Sequence, residues 1–150
     1  QHAQIQQAGA KVVVESPLPL IRADRTGLFQ ALSNLVSNAL KFTAKDRPPL
    51  IRIRAETVSG VTRVWVEDNG IGIDPKHHEK IFKLFERLHG TSEFPGTGIG
   101  LSLVKKAALR MGGSCGVLSE EGKGSRFWID LPRSAPPTVN PLAALPGGNP

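Results

Sequence analysis

The sequence has a single cysteine, Cys115, among its 150 residues, so the chain cannot form an internal disulfide. It lacks any apolar run that approaches the length needed to cross a bilayer, and no basic-then-apolar segment of the signal-peptide type opens it. The net charge of +6 is spread along the chain, without the aromatic-interleaved basic stripe that is typical of a nucleic-acid surface. These absences argue against a nucleic-acid partner, and the lone thiol is compatible with a reducing compartment.

Two familiar nucleotide-binding motifs are also missing. The segment 122–125, GKGS, lacks the upstream glycine and the residue order of a Walker loop. The glycine cluster that begins at Gly96 does not follow the strand of a βαβ unit, so a dinucleotide fold is not expected. His77 and His78 are adjacent, and no cysteine or carboxylate cluster completes a zinc ligand set around them.

The residues that are present suffice for one domain. With 39% hydrophobic and 21% charged residues, the chain can bury one sizeable core. Residues 1–10 are polar and indicate the end of a helix that belongs to an upstream segment or linker. Residues 133–150 shift to proline, alanine and glycine without periodicity, which predicts a disordered tail, with a short Pro-rich docking segment as the alternative. The predicted domain therefore spans residues 11–132.

Alternating apolar and polar residues predict a sheet. The predicted strands are 11–15, 51–56, 61–67, 114–119 and 125–131, with a short extended piece at 20–23. Ser59-Gly60 is a hairpin signal between two of them. Together with two amphipathic helices, this pattern predicts an α/β (α+β) two-layer sandwich, in which a mixed, mostly antiparallel sheet of about five strands carries helices on one face.

The first long helix is predicted from Arg25 to about Thr43, with Asp24 as its N-cap. Leucines and other apolar residues occupy the core spacing, whereas Asn34, Asn38 and Lys41 share a different stripe. Such a stripe can simply be a solvated outer face. Asparagine is a poor helix former, however, and its amide oxygen suits Mg²⁺ while the lysine can neutralise a phosphate, so we favour a ligand site.

Two glycine clusters frame the stretch from 64 to 106. In the first, a strand ends at Asp68, and Gly70 and Gly72 follow; glycines there would let a flat ligand approach the carboxylate. In the second, the run 96–100, GTGIG, opens a helix whose apolar face is Leu101, Val104, Ala108 and Met111. Free N–H groups at a helix start bind phosphate, so we expect adenine at the first cluster and phosphates at the second.

Five ordered blocks carry a family resemblance: LSNLVSNALKFT, DNGIGI, IFKLFERLHG, PGTGIGL and GKGSRFWIDLP. In order and spacing they closely resemble the catalytic ATP-binding domain of bacterial sensor histidine kinases, of the GHKL or Bergerat superfamily. The segment 87–90, RLHG, is similar to the corresponding segment of bacteriophytochrome-like sensor kinases. The resemblance implies a Bergerat fold and a domain that binds ATP and Mg²⁺.

The resemblance also implies roles for individual residues. Asn38 would bind Mg²⁺ with Asn34 one turn earlier, Lys41 and Arg87 would reach the phosphates, and Phe42 would pack near the nucleotide. Asp68 would accept a hydrogen bond from the adenine amino group. The remaining implied nucleotide-binding residues are Gly70, Gly72, Ile73, Phe85, Gly96, Thr97, Gly98, Ile99, Gly100, Leu101 and Ser125. A flexible lid would cover residues 74–94, anchored by Ile81, Phe82 and Phe85. Two phenylalanines three residues apart, such as Phe82 and Phe85, are nevertheless more often ordinary core residues.

The choice between ATP hydrolysis and phosphate transfer depends on the residue at position 34, which is Asn34. Related ATPases of this fold have a glutamate there as general base, so the resemblance implies slow hydrolysis and transfer of the γ-phosphate to a histidine on a separate dimerisation domain. Implied partners are ATP, that upstream helical phosphoacceptor domain and, indirectly, a response regulator. The resemblance implies a monomeric domain in the bacterial cytoplasm and a homodimeric parent protein that is either soluble or attached to a membrane. The alternatives are a water-activating GHKL ATPase and a nucleotide-binding interaction module without transfer activity.

Overall fold

The computed structural model describes residues 2–85, 88, 94 and 96–133, so most of the predicted tail and Arg87 lie outside the described residues. The helices in that part of the chain are α1 (His2–Gln7), α2 (Arg25–Lys41) and α3 (Gly100–Arg110). The strands are β1 (Lys11–Val14), β2 (Leu50–Val58), β3 (Val61–Asp68), β4 (Ser114–Ser119) and β5 (Ser125–Pro132). Two single-turn 3₁₀ helices, Pro75–His77 and Lys80–Phe82, lie between β3 and α3.

The strands form one mixed sheet in the order β1-β2-β3-β5-β4. Only the edge pair β1 and β2 is parallel; the other three pairs are antiparallel. The predicted hairpin at Ser59-Gly60 is confirmed, because both residues have positive φ, +46° and +83°, as a two-residue turn between twisted strands requires. Residues 20–23, predicted as an extended piece, form no strand.

Helix α2 begins where the sequence predicts. The Asp24 carboxylate accepts a hydrogen bond from the Gly27 N–H at 2.7 Å and so caps the first turn. The helix ends at Lys41, two residues before the predicted limit, and the Phe42 N–H closes the last turn on the Asn38 carbonyl at 2.9 Å. The polar stripe that ends α2 therefore stays on one continuous helical surface.

The core lies between the sheet and one face of α2 and α3, which confirms the two-layer arrangement. Helix α2 contributes Ala31, Leu35, Val36 and Ala39, and α3 contributes Val104 and Ala108. The sheet supplies Ile51, Val64, Val66, Val117, Phe127, Ile129 and Leu131. Because apolar residues alternate along β3 and β5, only one face of the sheet enters this core.

The opposite face of the sheet is covered by its own side chains rather than by helices. Trp65 is only 5% exposed, although it lies outside the hydrophobic core cluster. The guanidinium carbons of Arg54 and Arg63 lie 4.9 and 5.5 Å from its ring centroid, and Arg63 also stacks on Trp128 at 4.3 Å. Arg63 forms a two-point ion pair with Asp130, at 2.6 and 2.8 Å. Side chains that alternation places on the polar face of the sheet are therefore partly buried against one another.

Candidate functional site

A cavity of about 420 Å³ opens between the two helices and the sheet. Its walls come from the last turns of α2, the loop after β3, the glycine cluster with the start of α3, and β5. Of the predicted site residues that the structure describes, all but Gly70 and Phe85 line it: Asn34, Asn38, Lys41, Phe42, Asp68, Gly72, Ile73, Gly96, Thr97, Gly98, Ile99, Gly100, Leu101 and Ser125. Segments far apart in sequence thus meet at one concave site.

Asp68 provides the carboxylate of this cavity. Its Oδ1 accepts hydrogen bonds from the Gly70 N–H at 2.8 Å and from the Ser125 N–H at 3.3 Å. Within the described part of the chain, Oδ2 has no hydrogen-bond partner. Burial raises the pKa of Asp68 to about 6, although both backbone hydrogen bonds act to lower it. The carboxylate is fixed in direction and keeps one oxygen for a ligand.

The two asparagines of the α2 stripe converge on the start of α3. The Oδ1 atoms of Asn34 and Asn38 both lie 3.9 Å from the point where a Cβ on Gly100 would stand. The Nδ2 of Asn34 is buried and has no hydrogen-bond partner among the described residues. Ile99 precedes α3 without a side-chain cap, so the first N–H groups of that helix remain available to an anion.

These two amides fit a magnesium–phosphate complex better than a bare cation. Across residues 2–85, 88, 94 and 96–133, no group of three or more His, Cys, Asp or Glu side chains could hold a metal ion. A neutral amide oxygen is a suitable Mg²⁺ ligand when phosphate oxygens supply the negative charge. Asn38 is the ligand that the sequence predicts, and the buried amide of Asn34 lies beside it.

Lys41 ends the stripe and faces the second glycine cluster. Its ammonium lies 4.6 Å from the ring centroid of Phe42, and a Cβ on Gly96 would collide with it. The ring of Phe42 also packs on Phe94, with centroids 5.0 Å apart. The missing side chain of Gly96 therefore gives the lysine room to approach the glycine cluster.

The structure corrects the reason for the glycines of the first cluster. They were expected to clear space for a flat ligand, yet a Cβ on Gly70 would collide with the carbonyl oxygen of Phe42, and one on Gly72 with that of Glu120. Gly72 also has a φ of +73°. Gly70 is not among the lining residues; its N–H orients Asp68 instead. Both glycines are needed for the packing of the chain against itself.

Of the three predicted lid anchors, two are packed in the structure and one is exposed. Ile81 is buried, and the ring of Phe82 packs edge-on against Phe127 at 6.3 Å, as anchoring residues would. Phe85 is wrong as an anchor: its side chain is 71% exposed and does not line the cavity. Its backbone N–H instead donates to the Gly98 carbonyl at 3.1 Å. Spacing three residues from Phe82 suggested burial, but the 3₁₀ helix ends at Phe82, so helical spacing no longer applies.

Two neighbours of the site were not predicted. Phe94 was assigned only as the end of the lid, and its contact with Phe42 joins residues too far apart in sequence for any local pattern to predict it. Ser119 lies behind Ser125 and bonds to it at 2.9 Å. The only signal for Ser119 is strand pairing: β4 and β5 place Ser119 opposite Ser125.

Among the described residues, no helix is both long and apolar enough to span a membrane.

Comparison with known proteins gives concordant results. Residues 23–135 match the family described as histidine kinase-, DNA gyrase B- and HSP90-like ATPase. The phytochrome-like protein Cph1 of Synechocystis sp. is 40% identical over 128 residues, which cover 85% of this chain and 17% of Cph1. The aerobic respiration control sensor protein ArcB of Escherichia coli is 40% identical over 134 residues, again 85% of this chain and 17% of that protein. The chain thus spans a small part of these relatives.

Solved structures agree with the sequence relatives. Full-length ShkA in complex with AMPPNP superimposes with a TM-score of 0.75 at 33% identity, covering 89% of this chain and 28% of ShkA. The nucleotide-free catalytic domain of the histidine kinase ThkA gives a TM-score of 0.73 at 30% identity, covering 88% of this chain and 84% of that domain. This chain therefore belongs to the family of histidine kinase-, DNA gyrase B- and HSP90-like ATPases, and its fold is that of histidine kinase catalytic domains.

Proposed function

We propose that this chain binds Mg-ATP in the cavity and donates the γ-phosphate to a histidine on a separate dimerisation domain. The observation that carries the proposal is the polarity of the cavity. Asp68 and Ser125 offer acceptors at one part of the wall, whereas Lys41 and the uncapped start of α3 offer positive charge at another. A nucleotide has the matching polarity: an amino group on the base and negative charge on the triphosphate.

The predicted residues that line the cavity, together with Arg87, then have distinct tasks. Asp68 accepts a hydrogen bond from the adenine amino group, Gly72 and Ile73 shape the base pocket, and Phe42 packs beside the nucleotide. Lys41 and, as the sequence predicts, Arg87 neutralise the phosphates. The N–H groups of residues 96–101 bind the phosphates, and Asn38 would hold Mg²⁺, which supplies charge neutralisation when it is bound.

Transfer requires positioning more than proton chemistry. The bond between the γ-phosphorus and the β,γ-bridging oxygen breaks, a bond from a neutral imidazole nitrogen to phosphorus forms, ADP leaves, and the ring gives up its proton. Asn34 carries no carboxylate that could deprotonate water. We therefore expect slow hydrolysis by this chain and faster transfer to an imidazole, which is a better nucleophile than water.

The partners follow from this chemistry. The acceptor histidine would lie on a helical dimerisation domain upstream in the parent protein. That parent would be a bacterial homodimer, soluble or attached to a membrane, that holds this domain in the cytoplasm and passes the phosphate on to a response regulator. The domain itself would be monomeric. The relatives Cph1 and ArcB are much longer than this chain, and so offer room for such domains.

Calorimetric titration with ATP, with and without Mg²⁺, tests the binding site. Asp68→Ala should weaken binding in both conditions by at least tenfold, whereas Asn38→Ala should remove mainly the gain that Mg²⁺ provides. Asp46→Ala is the matched control, since Asp46 lies in an exposed turn paired with Arg47. Unchanged affinity in both site variants would refute the assignment.

The transfer step is tested with γ-labelled ATP and a separately supplied helical acceptor domain from the same parent protein. We expect label on the acceptor histidine and little free phosphate. Rapid ATP turnover by the chain alone would favour a water-activating ATPase. Normal ATP binding without transfer to that domain would favour a nucleotide-binding interaction module.

A further inference from the structure

Ser119, the last residue of β4, lies behind the cavity wall, and its hydroxyl joins three segments of the chain. Its Oγ accepts a hydrogen bond from the Ile73 N–H at 2.8 Å and donates one to the Gly124 carbonyl at 2.8 Å. It also lies 2.9 Å from the Oγ of Ser125, which is 6% exposed and lines the cavity. Ser119 thus fixes the loop after β3 to the β4–β5 turn.

The direction of the bond between the two serines follows from the hydrogens available. A serine hydroxyl has one hydrogen and two lone pairs. The hydrogen of Ser119 is used on Gly124, because a carbonyl oxygen can only accept, and one lone pair takes the Ile73 N–H. The remaining lone pair can only accept from Ser125. The hydrogen of Ser125 therefore points at Ser119, away from the cavity.

The consequence appears at the cavity wall. With its hydrogen used, the Oγ of Ser125 can only accept a hydrogen bond from a ligand. The neighbouring carboxylate of Asp68 also only accepts when it is ionised. The geometry points to Ser119 as a positioning residue that sets base specificity, because it makes this part of the wall accept hydrogen bonds throughout.

This inference rests on the proposed nucleotide-binding function and adds a residue outside the cavity lining, Ser119, that helps the site to distinguish a 6-amino from a 6-oxo base. A 6-amino purine offers two N–H hydrogens to such a wall, directly or through a water. A 6-oxo purine places a carbonyl oxygen at the same position, where it would face acceptors and find no donor. A polar mismatch of this kind in a buried site discriminates strongly between otherwise similar ligands.

The test compares ATP with inosine triphosphate, because hypoxanthine differs from adenine only in the 6-oxo group and the N1 proton that accompanies it. We expect the wild-type chain to prefer ATP by more than about tenfold. Ser119→Ala frees the hydrogen of Ser125 to turn toward a 6-oxo group, so the preference should narrow by about three- to tenfold. Ser119→Thr keeps the hydroxyl and should restore the preference.

Ser114→Ala is the matched control, since Ser114 begins the same strand, does not line the cavity, and should leave the ratio unchanged. Equal weakening of both nucleotides in Ser119→Ala, with an unchanged ratio, would show a merely structural role and overturn the inference. If Ser119→Ala does not fold, Ser125→Ala replaces it in the test. Ser125→Ala should weaken ATP binding and leave inosine triphosphate binding unchanged. An unaltered ratio of the two affinities would again overturn the inference. A wild-type chain that binds neither nucleotide would instead refute the proposed function.

Discussion

Asn34 and Asn38 hold their amide oxygens at the same distance, 3.9 Å, from the position that a Cβ on Gly100 would occupy. The end of α2 and the start of α3 therefore face each other across the part of the cavity that we assign to the phosphates. At 3.9 Å an added methyl group would make ordinary van der Waals contact and would not clash, so position 100 can be used to separate folding from binding.

Gly100→Ala should fold normally and bind ATP poorly. Alanine is the better helix former, so we expect the free energy of unfolding to be unchanged or up to about 1 kcal/mol higher. The methyl group would stand between the two amides and the first N–H groups of α3, and should reduce Mg-ATP affinity by about tenfold or more. Chemical denaturation and calorimetric titration measure the two effects, with the exposed Lys106→Ala in the same helix as control. A variant that binds ATP as the wild type does would contradict the phosphate assignment.

Asp68→Asn should stabilise the ligand-free domain at neutral pH. The folded-state pKa of Asp68, about 6, lies above its ordinary value of 3.8, so the stability cost of its charge grows as the pH rises from about 4 to about 6 and stays at its full value above that. Asparagine keeps an Oδ1 to accept from the Gly70 and Ser125 N–H groups without the charge. We expect a gain of about 1–3 kcal/mol at pH 7.5, shrinking toward zero near pH 4. A loss of stability at pH 7.5 in denaturant titrations would contradict the assigned cost of burial.

ATP affinity should fall as the pH drops through 6. The ionised carboxylate is the form that accepts a hydrogen bond from the base, so protonation near pH 6 removes the acceptor. Between pH 8 and 7 the affinity should be nearly flat. Below the pKa of Asp68 in the ligand-free domain, about 6, it should approach a tenfold loss per pH unit, and it should level off only below the lower pKa of Asp68 in the complex. Titrations from pH 8 to 5 measure the profile. Asp68→Asn should bind ATP weakly, with an affinity that does not change with pH. The same slope in both proteins would assign the titration to another group.

Asn34→Glu should raise ATP hydrolysis by the isolated chain. A carboxylate at this position would lie beside the Asn38 amide and could accept a proton from an attacking water. General-base catalysis would increase phosphate release by on the order of tenfold to a hundredfold. Asn34→Gln is the control of equal length without charge and should stay at the wild-type rate. If both variants release phosphate equally, position 34 does not determine the choice between water and imidazole.

Arg63→Ala should destabilise the fold and leave nucleotide binding unchanged. The substitution removes the ion pair to Asp130 and the stacking on Trp65 and Trp128, all on the face of the sheet opposite the helices. We expect a loss of about 2 kcal/mol, since the pair is largely buried. Arg47→Ala, which breaks an exposed pair with Asp46, should leave the free energy of unfolding nearly unchanged, because solvent screens that pair. Equal effects in thermal unfolding would show that the outer layer adds little.

Local patterns predicted most of the fold, because they are encoded over a few residues. The alternation in β3 and β5, the Asp24 cap and the Ser59-Gly60 turn each need only neighbouring positions. The family resemblance joined these elements into one architecture. The parallel pairing of β1 with β2 could not be predicted from periodicity, since it depends on how the chain returns across the sheet edge.

The site was less predictable where its contacts are long-range. The stripe of Asn34 and Asn38 was visible because a helix repeats every three to four residues. The packing of Gly72 against Glu120 and the bond between Ser119 and Ser125 join segments that only strand pairing brings together. Exposure of Phe85 was missed because a 3₁₀ turn replaces the helix that its spacing implied.

The cavity has no local precursor in the chain. Its walls come from α2, the loop after β3, the glycine cluster and β5. An unfolded chain therefore has no comparable binding site for a nucleotide. By linkage, any ligand that binds only the folded cavity stabilises the whole domain. At a free ligand concentration of a hundred times the Kd, the free energy of unfolding rises by about 2.7 kcal/mol. The melting temperature of the domain would thereby report nucleotide occupancy, and the nucleotide supply of a cell would govern how often this domain unfolds.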